Sequence, residues 1–385
     1  MNFALILEWL IKAIVLVLLL LGGFAYLTLY ERKALARIQM RVGPNRAGPW
    51  GILQPIADAV KLIFKEELMP AQADKFLFFL APIVTLVPAL VITAVVPWGP
   101  TLHVFGRDIT LYIADINVGV LYIMSVASIA VYGIVLAGWS SNNKYAMMGG
   151  LRSTAQMISY EIALGLSFVG VILLAGSASM TEIVTAQKSA WFVLLQPVGT
   201  VIFLIATLAE VNRAPFDMPE AEQELTAGYH SEYSGMKFAL LFMAEYDKMI
   251  AISSIAATLF FGGYREFWFL SNTVLSVDRT PWLGPFYIFI KIFVLLFGMI
   301  WVRATFPRIR YDRLMAFGWK VMLPLSLALI FITATFILLS EQFKNLILFG
   351  IPLFLWGIPV VSLLVGAAAI VMVNRMLRGK EYARA

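Results

Sequence analysis

The sequence predicts an all-α polytopic membrane protein with about nine transmembrane helices and an amphipathic helix on its inner face. Three observations carry that expectation. The 385 residues are 61% hydrophobic and only 14% charged, against about 45–50% apolar and about 25% charged in ordinary soluble domains. Several apolar runs exceed the roughly 18 residues of a spanning helix, whose rise of about 1.5 Å per residue must cross about 30 Å of hydrocarbon. Basic residues also gather on alternate connections. The chain reads as one integral membrane domain, 1–385, with two long inner connections, 31–74 and 211–236.

The first span is expected at 4–30. It opens MNFALILEWLIK, without the basic stretch of a secretory signal, and runs directly into a full-length apolar helix, so it reads as a retained span. In the connection that follows, GPWGILQPIADAVKLIFKE places Leu53, Ile56, Ala57, Val60, Ile63 and Phe64 at helical spacing, with Asp58, Lys61 and Lys65 opposite. That segment is too short and too charged to span, so it is expected to lie in the interface plane. Spans at 75–97 and 116–138 flank an outer loop in which LHVFGRDITLYI alternates apolar and polar residues around Gly106-Arg107-Asp108, the pattern of a short hairpin. Further spans are placed at 155–177, 190–210, 237–261, 283–304, 320–340 and 347–373. No internal repeat is visible, which counts against a transporter built from inverted halves.

With the first residues outside, the inner connections and the tail hold 7, 2, 1, 3 and 4 Lys and Arg residues, against five on the outer loops: Arg107, Lys188, Arg265, Arg279 and Lys344. The positive-inside rule therefore predicts an N-out, C-in topology. Cysteine is absent and there are 2 histidines, which removes thiolate clusters, zinc sites and a pair of haem ligands. No metal site is expected, and redox centres must come from elsewhere.

Residues 209–234, AEVNRAPFDMPEAEQELTAGYHSEYS, place six of the 23 acidic residues, Glu210, Asp217, Glu220, Glu222, Glu224 and Glu232, beside one cation, Arg213. They lie on the face that topology otherwise makes basic. Ala214, Pro215, Phe216, Met218, Pro219, Leu225 and Tyr229 interleave with the acids, a composition that packs, whereas a plainly solvated acidic loop would be polar throughout. Carboxylates crowded in partly apolar surroundings repel one another and lose hydration, so some take up protons near neutral pH. The acids also continue into the membrane: Glu210 closes the fifth span, and Glu161 and Glu245 lie about two turns into the fourth and sixth. A charge at mid-membrane costs about 2.5–3.5 kcal/mol, so such groups face a bundle interior or a wet cavity. Snorkelling to the headgroups is open to Glu210 and poor for the other two.

Counter-charges stand at the inner face. YERKALARIQMRVGPNRAG carries Arg32, Lys33, Arg37, Arg41 and Arg46, and WVRATFPRIRYDRLMAFGWK carries Arg303, Arg308, Arg310 and Arg313. Guanidinium forks pair with carboxylates, although topology marking and anionic lipid also account for such residues. Glu31, set directly between Tyr30 and Arg32 at a helix end, needs a further reason.

Together, YERKALARIQMRVGPNRAGPWGILQPIADAVKLIFKE, AEVNRAPFDMPEAEQELTAGYHSEYS followed by FALLFMAEY, and WVRATFPRIRYDRLMAFGWKVMLP resemble the quinone-site membrane subunits of respiratory complex I, the NADH-quinone oxidoreductase. The resemblance implies a heel subunit that joins the membrane arm to the hydrophilic arm and encloses much of a quinone tunnel. It assigns Arg32, Arg41, Asp58, Arg213, Phe216, Asp217 and Arg303 to the quinone site. Glu161, Glu210, Glu220, Glu222, Glu224, Glu232 and Glu245 fall to a proton path toward the antiporter-like subunits, and Glu31, Lys61, Arg308, Arg310 and Arg313 to the inner-face charge structure.

The resemblance further implies quinone as substrate, no cofactor on this chain, and NADH, FMN and iron–sulfur clusters in partner subunits. Its partners would be the hydrophilic-arm quinone-site and iron–sulfur subunits, the small membrane subunits next to the heel, and membrane lipid, with no nucleic acid. The expected location is an energy-transducing membrane, and a ninth span, one more than in animal mitochondrial relatives, favours a prokaryotic plasma membrane. Asp247-Lys248 departs from the mostly neutral residues expected after Glu245, and an internal ion pair there would retune Glu245. Two other readings use the same residues: the homologous subunit of a membrane-bound hydrogenase or ferredoxin-linked complex, and a stand-alone ion transporter.

Overall fold

The computed structural model describes residues 3–104, 106–217, 228–267, 270, 273–343, 347–348 and 351–382. Helices account for most of them. Helix α1 (Phe3–Ile38) is followed by the short α2 (Gln54–Phe64), α3 (Lys75–Val91), α4 (Gly119–Ser140), α5 (Lys144–Ala175), α6 (Met180–Ala186), α7 (Phe192–Leu195) and α8 (Pro197–Glu210). Then come α9 (Gly235–Phe260), α10 (Leu283–Thr305), α11 (Tyr311–Phe317), α12 (Leu323–Gln342) and α13 (Gly357–Tyr382). Among the described residues, seven helical stretches are long and apolar enough to cross a membrane. The two remaining expected spans fall on α8, an apolar helix of 14 residues, and on α9, 26 residues that include Glu245, Asp247 and Lys248.

Several boundaries depart from the sequence expectation, each for a local reason. Helix α1 continues to Ile38 because ERKALARI is rich in helix formers, and Arg37 in its last turn suits the negative end of the helix dipole. Helix α5 already begins at Lys144, where the Asn143 side chain accepts from the Tyr145 N–H and caps the end. The expected fifth span, 190–210, is broken at Gln196. Pro197 opens α8 there, since it lacks an N–H and fits the first helical turn. The ninth span does not start at 347: Ile347–Leu348 and Ile351–Pro352 form an antiparallel pair, and a helical turn begins only at Leu353.

The segment expected at the interface contains α2, none of whose residues is buried, preceded by a tight turn at Pro49–Gly51. Ile56, Val60, Ile63 and Phe64 stay exposed in the isolated chain. The outer hairpin pairs Leu102–Val104 with Arg107–Ile109, with Leu102 opposite Ile109 and His103 opposite Asp108.

Helix α5 occupies the middle of the bundle, against α4, α8 and α12. Small residues let backbones approach where van der Waals packing must do the work of holding helices together in lipid. A Cβ on Gly133 would lie 2.7 Å from the Thr85 backbone N, so α3 and α4 touch at that point. Between α11 and α12 the helix widens into a π turn, Gly318–Met322. It seats this long element on α5, where the Tyr160 hydroxyl donates to the Leu314 carbonyl at 3.0 Å and Trp319 Nε1 to Ser159 Oγ at 3.2 Å.

Candidate functional site

The extension of α1 past residue 30 sets the first part of the site. Successive helical residues point about 100° apart, so Glu31 turns into the bundle while Arg32 faces α2. Arg32 Nη1 lies 2.6 Å from Asp58 Oδ2, and Gln54 Nε2 donates to the other oxygen at 3.0 Å. Glu31, only 3% exposed, accepts from Arg213 Nη1 at 3.3 Å and also from Arg303 Nη1. Arg213 Nε lies 2.5 Å from Glu245 Oε1, and its guanidinium sits 4.3 Å from the centre of the Tyr246 ring.

Arg213 reaches this position because the chain reverses directly after α8. Asn212 adopts φ 56°, a left-handed conformation that asparagine tolerates better than most residues. Gln156 Nε2 fastens the turn by donating to the carbonyls of Ala209 at 2.8 Å and Phe216 at 2.7 Å. Phe216 in turn packs on the Tyr160 ring. Burial disfavours the charge on Arg213, but Glu245 and Glu31 outweigh that effect and hold its pKa above the ordinary arginine value.

A second part lies deeper in the bundle. Glu210 is buried, and Lys248 Nζ stands 3.9 Å from its Oε1. Glu161 makes a hydrogen bond with Ser128 Oγ. Lys248 also feels the charges of Glu161 and Glu245. Asp247 is fully buried, and Lys248 pairs with Glu210 across the bundle, so the ion pair expected between Asp247 and Lys248 is replaced by one between helices.

The structure thus brings together Glu31, Arg213, Glu245 and Arg303, and separately Glu161, Glu210 and Lys248. Glu232 is held apart from both by Asn143 Nδ2 at 2.6 Å. Asp217 contributes its carbonyl to Arg308. Arg41 is exposed and bonds Gln39 at 2.8 Å, Arg310 meets Asp312 at 3.2 Å with both exposed, and Lys61 and Arg313 are exposed. Glu220, Glu222 and Glu224 lie outside the described residues.

Near the loop, burial pushes His230 down to about 4 and pushes Tyr233 up to about 12, the latter partly offset by its hydrogen bond with Ser140. Among the described residues no group of three or more His, Asp or Glu converges to hold a metal ion.

A cavity of about 570 Å³ lies away from these charges. It lies between α1 and α10 beside the outer hairpin, lined by apolar residues such as Leu16, Leu20, Phe289 and Phe293, with Lys12 as its one charged side chain. We place the site by the buried charges, because a buried ion must be matched by a specific partner whereas an apolar space in a membrane chain is filled equally well by lipid. Tyr246, Gln156 and Ser128 were missed from sequence. Their signal was weak but present: each is a polar group in a spanning helix, within two turns of a key acid or cation or facing one across the bundle.

The chain matches the family model described as NADH dehydrogenase over residues 11–334. It is 50% identical over 316 residues to the H subunit of NADH-quinone oxidoreductase from Protochlamydia amoebophila, covering 82% of this chain and 93% of the relative. It is 49% identical over 316 residues to the H subunit numbered 1 of the same enzyme from Geobacter metallireducens, covering 82% and 92%. It is 50% identical over 323 residues to the corresponding H subunit of Thermomicrobium roseum, covering 81% and 91%.

Proposed function

This chain belongs to the NADH dehydrogenase family as a multi-pass membrane subunit of complex I, the NADH-quinone oxidoreductase, and from that premise we propose that its buried ion cluster links quinone reduction to proton translocation. The observation that carries the reading is the unbroken alternation Arg303–Glu31–Arg213–Glu245, which joins the ends of α1, α8 and α10 to the interior of α9. A quinone that takes up two electrons near Arg213 and Phe216 draws two protons from groups beside it, and their loss of those protons changes the local charge. Each carboxylate in an alternating series is stabilised by the cations on either side, so displacing one cation changes the proton affinity of the next acid.

In this reading the Arg32–Asp58 pair and α2 frame an entrance for the apolar quinone tail. Arg41, Asp217 and Arg308 face the hydrophilic-arm partner, with Lys61, Arg310 and Arg313. Glu220, Glu222, Glu224 and Glu232 belong to the loop beside the headgroup. Iron–sulfur clusters, FMN and NADH are placed in partner subunits, and the membrane is a prokaryotic plasma membrane, with the N-terminus outside. The buried arginine–glutamate series disfavours a stand-alone ion conduit, since Arg213 closes directly on Glu245, and the cavity of about 570 Å³ lies away from both. The test is Arg213→Met in the native complex: quinone reductase activity and proton translocation should fall together. Full activity in an assembled variant would contradict the reading.

A further inference from the structure

The two groups, Arg303, Glu31, Arg213 and Glu245 and then Lys248, Glu210 and Glu161, adjoin because Lys248 follows Glu245 by one turn of the same helix, which makes three cations beside four carboxylates. Uncompensated charge at membrane depth is expensive, so a neutral cluster needs one proton on a carboxylate. Glu31 and Glu245 are each in direct contact with a guanidinium, which favours their charged forms. Glu210 and Glu161 have no such contact. Glu210 touches only the single ammonium of Lys248 at 3.9 Å, and its Oε2 is buried without a hydrogen-bond partner.

Ser128 supplies a separate sign of where the proton rests. Its hydroxyl lies 3.0 Å from the Met124 carbonyl as well as in contact with Glu161 Oε1. A serine has one proton to donate. When it donates to Met124, the contact with Glu161 requires a proton from the glutamic acid; when it turns to Glu161, the carboxylate can be charged. The Ser128–Glu161 pair is therefore built for both protonation states.

We infer that Lys248 is a positioning residue that limits this cluster to one exchangeable proton, shared between Glu210 and Glu161, and ties these two acids to the arginine-held pair. Lys248 on α9 pairs with Glu210 at the end of α8 and feels the charges of Glu161 on α5 and of Glu245, one turn before it on its own helix. Its neighbour Asp247 makes no hydrogen bond through either carboxylate oxygen among the described residues. An unpaired buried carboxyl is kept neutral by the cost of its charge, so Asp247 does not alter the count. The balance is one proton moving between two carboxylates, with no bond made or broken elsewhere. Without Lys248, neutrality would demand a second proton.

The inference rests on the function proposed above, and the test separates the two. In the intact native complex, Lys248→Met should add a second titrating carboxylic acid to the infrared spectrum, and should move the pH profile of quinone reductase activity toward alkaline pH by about 1–3 units, the usual influence of one adjacent opposite charge. Lys248→Arg, which keeps the cation, should retain the parent profile. The double variant Lys248→Met with Glu210→Gln restores the count and should titrate one acid again.

If Lys248→Met fails to assemble, assembly of the double variant supports the inference, since it removes an uncompensated charge; failure of both overturns it. An assembled Lys248→Met with the parent spectrum and profile also overturns it. A parent complex that lacks quinone reductase activity would contradict the proposed function alone, because the infrared count of acids does not depend on turnover.

Discussion

Arg213 Nε stands 2.5 Å from Glu245 Oε1 with both side chains largely buried, so the cation just past α8 is locked to a carboxylate nearly three turns into α9. The same guanidinium reaches Glu31 at 3.3 Å and covers the Tyr246 ring. One side chain therefore holds three helices in register at the site. Removing one partner of a buried pair costs about 3–5 kcal/mol because the other charge is stranded. Glu31→Ala, which strands Arg303 and leaves Arg213 with Glu245 alone, should therefore lower the amount of assembled complex sharply, as read on native gels. Glu31→Gln keeps the hydrogen-bond acceptor and should assemble better than Glu31→Ala while remaining impaired in turnover.

His230 gives a pH dependence with a definite sign. Burial holds it down to about 4 in the folded chain, whereas an unfolded histidine titrates near 6.5. The unfolded state thus binds the extra proton first as pH falls, and stability present above about 6.5 is lost progressively toward 4. Thermal unfolding of the detergent-solubilised complex should show this acid loss. His230→Phe, which cannot take a proton and keeps an aromatic ring beside Phe238, should flatten it between those limits.

The close approach of α3 and α4 yields a packing prediction. A Cβ at Gly133 would sit 2.2 Å from Thr85 Oγ1 and 2.7 Å from its backbone N. The hydroxyl can rotate away but the backbone cannot. Gly133→Ala should cost about 1–3 kcal/mol, the usual range for overpacking, seen as a lower thermal midpoint, whereas Gly22→Ala, where nothing lies within 4 Å of the added methyl, should leave the midpoint unchanged.

Helix α2 offers a kinetic prediction. Leu53, just before it, and Ile56 and Val60 on it are exposed apolar residues in the isolated chain, as expected of a segment that meets lipid or a quinone tail. Leu53→Asp should raise the apparent KM for long-tailed quinones more than for short-tailed ones. Equal changes for both would leave α2 a structural element only.

Much of the fold was legible because apolar runs of spanning length have few alternatives. Where the reading failed, the reason was local. Lys144 to Thr154 looked like a loop by polarity, yet the Asn143 cap lets the helix begin there, and Gly149 and Gly150 are buried in it. Ile347 to Pro352 looked apolar enough to start a span but pairs as short strands. The site was legible as a set of charges and not as a set of pairs. Adjacent helical residues point about 100° apart, so Lys248 turns away from Asp247, but that it meets Glu210 follows only from how α8 and α9 pack. The pairing of Arg213 with Glu245 likewise depends on the turn at Asn212, which a distant residue, Gln156, holds in place.

The central claim is that the buried carboxylates carry protons linked to quinone chemistry. Its most direct measurement is proton translocation per quinone reduced in membranes, for Glu161→Gln, Glu210→Gln and Glu245→Gln, with assembly checked for each variant. Glutamine keeps the shape and removes the ionisable group, a proton carrier at Glu161 and Glu210 and a charge at Glu245, so each variant should assemble yet lose most of its coupled turnover, at least about tenfold, equivalent to about 1.4 kcal/mol in the barrier. The corresponding aspartates, which retain the charge on a shorter stem, should be milder. Normal pumping by all three assembled glutamine variants would contradict the claim and reduce these residues to packing and solvation.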